Sequence, residues 1–451
     1  MNSEYTVLWG LCPGIRAVTA AIALFGGGSL VSAADAESLR LTLGESLTRV
    51  EEENLQVLLN REIVEQSLQQ AERERSFLLP RLRAEVSQGR SKSPVLGDIS
   101  DFIDQSTDNR FDAMLRAEFT VLDPALIASY QAARKGVDIS GKEYETLLQE
   151  VLALTAQIYL THQRNLSRFE VIESNIERAE ALLDLARSQF EAGVATEIDI
   201  TRARVTLAGE RQARLQQETV VYDSALTLKR LLDLNLRRDL ELEEFTAHRE
   251  AEGPEPDVDE RQVRRDRPDF RLIEQRLEQN RLEQRAAAWE RFPVLSVFGD
   301  YGVASERAFD GDEQEVWSAG VALSMPIFEG FRIRSNRMLA NSRRRATEIE
   351  MRDLEAEISS ELLFAWQDLR SRLAQIEVAE ENFSLAEDEL RLARTRFEQG
   401  VADNREVIDA QNRLAQASDN LVEAFFAYNL TRLEYARVRG DVRLLLGDQV
   451  M

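Results

Sequence analysis

Thiols are nearly missing from this chain: Cys12 is the only cysteine in 451 residues. If the N-terminal leader described below is cleaved, the mature chain keeps no disulfide, thiolate nucleophile or cysteine metal site. Histidine is almost as scarce, with only His162 and His248, and there is no HExxH, glycine-rich phosphate loop or GxSxG. No catalytic constellation, metal site or cofactor site is therefore expected, and no enzyme. Lysine is confined to Lys92, Lys135, Lys142 and Lys229, and no basic block is interleaved with aromatics. That argues against a nucleic-acid partner. After residue 33 no run of about 20 apolar residues could serve as a membrane helix. The net charge of −24 says only that much of the surface faces water.

What is present begins with a leader. Arg16 precedes the apolar stretch AVTAAIALFGGGSLVSA, which ends in small residues. It reads as a secretory signal over 1–33 with cleavage near Ala33, and Gly26 to Gly28 argue against a buried helix there. An exported chain without a membrane helix is periplasmic, extracellular or an outer-membrane β-barrel.

The body of the chain is spelled twice. RSQFEAGVATEIDITRARVTLA at Arg187 and RTRFEQGVADNREVIDAQNRLA at Arg394 align at an offset of 207 residues, pairing Phe190 with Phe397 and Gly193 with Gly400. Ahead of each copy, apolar residues step by four and three: Ile172, Ile176, Ala179, Leu183 and Ala186, then Ala379, Phe383, Ala386, Leu390 and Ala393. This spacing makes a coiled-coil seam. From Pro124 to Phe190 no later proline interrupts it, so a rod of about 100 Å is expected. Gly193 and Gly400 suit the left-handed position that ends a helix. Thr196 with Asp199, and Asp403 with Glu406, look like an N-cap and its capping-box partner. Each copy therefore reads as the tip of a helical hairpin. After the first tip Glu210 and Arg214 replace apolar seam positions, so packing must differ there.

Four segments switch to period two: Arg81 to Val86, Leu115 to Val121, Val294 to Val303 and Trp317 to Ser324. Leu82, Ala84 and Val86 oppose Arg81, Arg83 and Glu85, and Leu115, Ala117, Phe119 and Val121 oppose Arg116, Glu118 and Thr120. Apolar-out, polar-in strands with polar loops are the pattern of a transmembrane barrel. Each half then runs helix, β-hairpin, very long helix, tip, helix. The expected divisions are a first repeat over 34–235 (shorter helices 39–74 and 196–235, hairpin 78–123, tip 190–199), an acidic linker over 236–266, and a second repeat over 267–451 (hairpin 293–328, tip 397–406). Four strands cannot close a barrel, and open edges are costly in lipid, so several copies are required. A secreted coiled-coil structural or adhesive protein is the competing reading, although strands placed twice between helices weigh against it.

These residues resemble the TolC-like outer-membrane efflux proteins over nearly the whole mature chain. The paired FExGVA tips, RPDFRLIEQRLEQNR at Arg267, PVLSVFGDYG at Pro293 and MPIFEGFRIRSNRMLA at Met325 carry the resemblance. One departure is Glu329-Gly330-Phe331, where the family commonly has Asp-Gly-Gly. The resemblance implies a mainly helical homotrimer with a twelve-stranded β-barrel in the outer membrane and a long periplasmic α-helical barrel. It also implies docking to a periplasmic adaptor and an inner-membrane transporter, as the passive duct of an efflux or type I secretion system. At the tips, Gly193, Val194, Ala195, Gly400, Val401 and Ala402 are the candidate adaptor contacts. Glu406 and Asp409 match acidic positions that ring the closed entrance. Asp199 matches a residue of the closing lock. The usual tyrosine and arginine partners fall here at Phe397 and Ala402, leaving Arg202 or Arg405 as substitutes.

Overall fold

The computed structural model describes residues 39–91, 108–245, 260–308 and 311–450. The leader, His248 and the middle of the linker lie outside the described residues. In chain order the elements are β1 (Leu39–Leu41), α1 (Leu43–Glu53), α2 (Leu55–Ser76), β2 (Arg81–Ser91), β3 (Asp108–Leu122), α3 (Pro124–Glu191) and α4 (Glu197–Leu231). They continue with β4 (Leu240–Leu242), α5 (Glu260–Asp266), α6 (Pro268–Trp289), β5 (Val294–Ser305), β6 (Gln314–Ser324), α7 (Arg332–Glu398), α8 (Asn404–Val438) and a 3₁₀ segment, Val442–Val450.

Two rods dominate, α3 with 68 residues and α7 with 67. Asp123 caps α3 by accepting from the Leu126 N–H at 3.0 Å, and Pro124 occupies the first turn, where its missing donor costs nothing. Toward the sheet α3 packs on α2 and α6; toward the tips it packs on α4 and α8, while α7 packs on α6 and then α8.

The first helical stretch departs from the single helix expected over 39–74. It opens with β1, and the helix breaks at Asn54. The Asn54 side chain accepts from Gln56 N–H at 2.9 Å to start α2, and donates to the Leu231 carbonyl at 2.8 Å. A buried amide thus serves two chain ends at once, an arrangement that hydropathy patterning does not encode. The expected linker is also partly structured: β4 pairs in parallel with β1, joining Leu39–Leu41 to Leu240–Leu242, and α5 covers its C-terminal end. Around this pair Leu47, Val50, Leu152, Tyr159, Leu228, Leu232 and Val442 form a buried core. A second core joins Phe270, Ile358, Trp366, Leu369 and Tyr428. A third lies at the tips.

The two hairpins form one sheet in the order β2-β3-β5-β6, antiparallel throughout. The register sets Ala84, Leu115, Tyr301 and Trp317 in one row and Arg83, Arg116, Asp300 and Ser318 in the next. Successive rows alternate between faces. One face is therefore apolar across all four strands, as the period-two reading expects. On the other, Arg116 pairs with Asp300 at 2.7 Å and Glu85 at 3.7 Å, and Ser318 donates to Asp300 at 3.0 Å. No helix among the described residues is long and apolar enough to cross a membrane.

Candidate functional site: two tied hairpin tips

Both reversals use the same backbone device. At the first tip Gly193 has φ +75°, its N–H donates to the Phe190 carbonyl, and the Val194 N–H reaches the Gln189 carbonyl. At the second tip Gly400 has φ +71°, with matching bonds to Phe397 and Arg396. Glycine meets no Cβ penalty in this left-handed region.

The restarts differ. Asp199 completes the first as expected, accepting from the Thr196 N–H at 2.9 Å and hydroxyl at 2.6 Å. The expected second capping box does not form. Asp403 is the N-cap but makes no side-chain capping bond. Glu406 turns instead to Arg396 at 3.3 Å, because the residue before Phe397 is an arginine able to reach across the reversal.

Bonds between hairpins hold the tips side by side. Gln189 donates to the Phe397 carbonyl at 2.8 Å, and fully buried Asn404 donates to the Asp199 carbonyl at 2.7 Å. Beneath them Leu182, Leu183, Ala203, Ala393, Phe397, Val407 and Ala410 pack into one core drawn from all four helices. Phe397 is 2% exposed, whereas its repeat partner Phe190 is 45% exposed. Deleting a buried phenylalanine costs about 3–5 kcal/mol and an exposed ion pair contributes about 0–1 kcal/mol. The tip of one chain is therefore held by apolar packing and amide bonds, not by its surface charges.

The expected site residues separate into two groups. Asp199 is buried and lies 3.6 Å from Arg202 on its own helix, while Arg405 lies 3.9 Å from Asp409 and makes no ion pair to Asp199 among the described residues. Glu406 and Asp409 each sit beside an arginine, so the acidic pair is locally compensated. Gly193, Val194, Gly400 and Val401 are exposed, and Ala195 and Ala402 are half-buried. Gln189, Arg396 and Asn404 had no role in the sequence reading. Their signal is that the repeats differ at the matching positions: Gln189 answers to Arg396, and Glu197 to Asn404.

Beyond the tip, the lost seam positions find polar partners. Arg214 pairs with Glu173 at 3.5 Å and lies over the Phe169 ring, while Glu210 is half-buried against Asn175 and Arg178. Burial holds the Glu210 carboxyl above its ordinary range, opposed by its hydrogen bond to Asn175. His162 is buried with Nδ1 2.7 Å from the Ser224 hydroxyl, and burial with nearby Lys229 lowers its pKa to about 4.

Long helical rods ending in tied tips, with a sheet of one apolar and one charged face at their other end, match a family of outer-membrane proteins. The outer membrane efflux protein family model matches residues 47–233 and 261–433, and the chain belongs to that family. It is 26% identical over 286 residues to the probable efflux pump outer membrane protein TtgC of Pseudomonas putida, covering 60% of this chain but only 56% of that relative's length. It is 24% identical over 382 residues to the pyoverdine export outer membrane protein OpmQ of Pseudomonas aeruginosa, covering 81% of this chain and 76% of that relative. Among solved structures, the CmeC outer membrane channel of Campylobacter jejuni superposes with a TM-score of 0.78 at 19% identity, over 88% of this chain and 85% of that one.

Proposed function

We propose that three copies of this chain form the outer-membrane exit duct of a tripartite export assembly, with most of the mass in the periplasm. The observation that carries this reading is the sheet: apolar on one face, charged on the other, with β2 and β6 left as open edges. In lipid each unpaired backbone group costs several kcal/mol, so β6 must meet β2 of another copy. Three copies give twelve strands, a barrel wider than the roughly eight-stranded one that side chains alone can fill. The long helices supply a second seam between copies. On α7, Phe364, Val378, Leu385 and Leu392 are exposed at multiples of seven residues, and on α4 Ile198 and Val205 are likewise exposed and seven apart. Heptad spacing of this kind suits helix-to-helix packing between protomers.

The duct is passive and hydrolyses nothing, and energy comes from an inner-membrane transporter reached through a periplasmic adaptor. The tips are the docking point. They expose Gly193, Val194, Gly400 and Val401, and a groove of about 550 Å³ lined by Arg178, Leu182, Leu185, Leu390, Arg394 and Val407 lies beside them. Detergent extraction from outer-membrane fractions should yield a particle of three chains that conducts ions in planar bilayers. Release by salt washing, or a monomer without conductance, would overturn the proposal.

At the mouth, Glu406 and Asp409 of three copies form two stacked acidic rings, with Arg202 and Arg405 next to the lock residue and the lower ring. Because Arg396 and Arg405 offset these carboxylates within each chain, the rings favour cations only modestly. The double change Glu406→Gln, Asp409→Asn should lower cation-over-anion permeability by a few-fold, read as a shift in reversal potential across a salt gradient. An unchanged reversal potential would remove these residues from the selectivity path.

A further inference from the structure

At the membrane end of α7 stands a residue in an unusual conformation. Phe331 has φ +68°, and Asp233 is the only other non-glycine residue with positive φ among those described. For an L-residue with a bulky side chain this region costs about 1–2 kcal/mol. Such outliers persist where something else holds them and often mark function. A glycine would sit here without strain. Packing does not explain the exception: the Phe331 side chain is 65% exposed, and its described aromatic neighbour is Phe328, 5.5 Å away edge-to-face and itself 72% exposed. Ile327 beside them is 92% exposed.

The surroundings identify what would cover these rings. They follow directly on β6, whose apolar-face series Trp317, Ala319, Val321, Leu323 continues at the same spacing to Met325 and Ile327. The neighbouring helix-to-strand connections at this end carry exposed Leu79 and Phe292. Immediately below, Arg332 is held by Glu290 and Glu329, and exposed Arg334 and Arg337 follow within the first two turns of α7. Apolar and aromatic side chains at one level, with arginines a turn beneath, complement the acyl–headgroup boundary of a phospholipid leaflet. The arginines' hydrogen-bond geometry suits phosphate.

We infer that Ile327, Phe328 and Phe331 form an anchor that inserts into the periplasm-facing phospholipid leaflet, with Arg334 and Arg337 at its phosphates. The left-handed turn at Phe331 aims the ring outward at the cost of local strain. This surface rests on the barrel reading above, and it fixes the height of the duct in the membrane.

Spin labels attached at Phe331→Cys, Phe328→Cys and, as a mid-sheet reference, Trp317→Cys, each in a Cys12→Ser background, test the anchor in liposomes of phosphatidylethanolamine and phosphatidylglycerol. The reference should be accessible to oxygen and shielded from a water-soluble nickel reagent. Labels at 328 and 331 should be accessible to both, at headgroup depth. If the reference lacks a lipid signature, the barrel reading fails and the anchor with it. If the reference is in lipid but 328 and 331 behave as in open water, only the anchor is overturned; inaccessibility to both reagents would mean that a second copy covers the rings. A further variant, Phe331→Gly, suits the backbone and keeps the fold. Its gain in melting midpoint from detergent to liposomes should be smaller than the parent's by several degrees, and an equal gain would count against the anchor.

Discussion

Replacing Gly302 by alanine should abolish the membrane channel. Gly302 pairs with Met114 across the β3–β5 ladder, which is the seam joining the two hairpins. A Cβ at this position would fall 2.1 Å from the Ala113 carbonyl oxygen and 2.7 Å from the Met114 Cα. Both are backbone atoms of the partner strand, so no side-chain rotation relieves the clash, and the strands must part or slip. Parting leaves extra unpaired backbone groups in lipid, at several kcal/mol each. A slip by one residue would send apolar side chains into the lumen. The expected result is loss of heat-modifiable folded barrel and of conductance. Gly299→Ala is the matched control, since its Cβ would make only an ordinary contact at 3.7 Å with the Ser318 carbonyl oxygen. Normal insertion of Gly302→Ala would show that the seam opens wider than this geometry allows.

The second large effect is expected at Arg267. It is 5% exposed and joins three elements: its guanidinium binds Asp269 at 2.6 Å on α6, Glu361 at 2.6 Å on α7 and the Val438 carbonyl at the end of α8. Glu361 in turn meets Arg437, which pairs with Glu434. Arg267→Ala removes the cation, leaving Asp269 without its partner and Glu361 with Arg437 alone. Breaking a buried pair in this way costs about 3–5 kcal/mol. The carboxylates retain roughly 30% of their side-chain exposure, so the lower end of that range is expected. Arg267→Lys should recover only part, because an ammonium cannot reproduce the planar two-nitrogen hold on Asp269 while also reaching Glu361 and the Val438 carbonyl. Melting in detergent, followed by circular dichroism, is the measurement. A midpoint for Arg267→Ala within a degree of the parent would mean that the cluster adds no net stability.

Much of this architecture is legible in residue order. The four-three seams mark α3 and α7, the glycines mark both reversals, and the strand alternation gives the face of every strand. These signals are local, because they follow from the 3.6- and 2-residue periods of regular backbone. What escaped is non-local. Asn54 breaks a helix because it can cap α2 while holding the end of α4. Glu406 leaves its capping position because Arg396 is within reach across the reversal. The tip is instructive because its identical residues, Gly193 and Gly400, only build the turns. The bonds that join one hairpin to the other come from Gln189 and Asn404, where the copies are unlike. The polar ties are thus written where the repeats diverge, whereas the apolar core beneath them includes Ala203 and Ala410, which the copies share.

The paired strands β1 and β4 have a mechanical consequence. Tyr159 of α3 donates its hydroxyl toward the Leu41 and Glu243 carbonyls at 3.1 and 2.6 Å, pinning the rod near its middle. From Tyr159 to the end of α3 at Glu191 the rod extends about 48 Å at 1.5 Å per residue. It is a lever with its fulcrum at that hydroxyl. A tilt of about 5° there, within what a packed interface can absorb by small side-chain shifts, carries the tip through roughly 4 Å. A partner of the kind proposed above, pressing at the mouth, would work on this arm of about 48 Å, so a weak push there would produce a large torque at the pin, while thermal motion at the pin is magnified at the mouth. The tied tips and their apolar core hold the end of that arm in place.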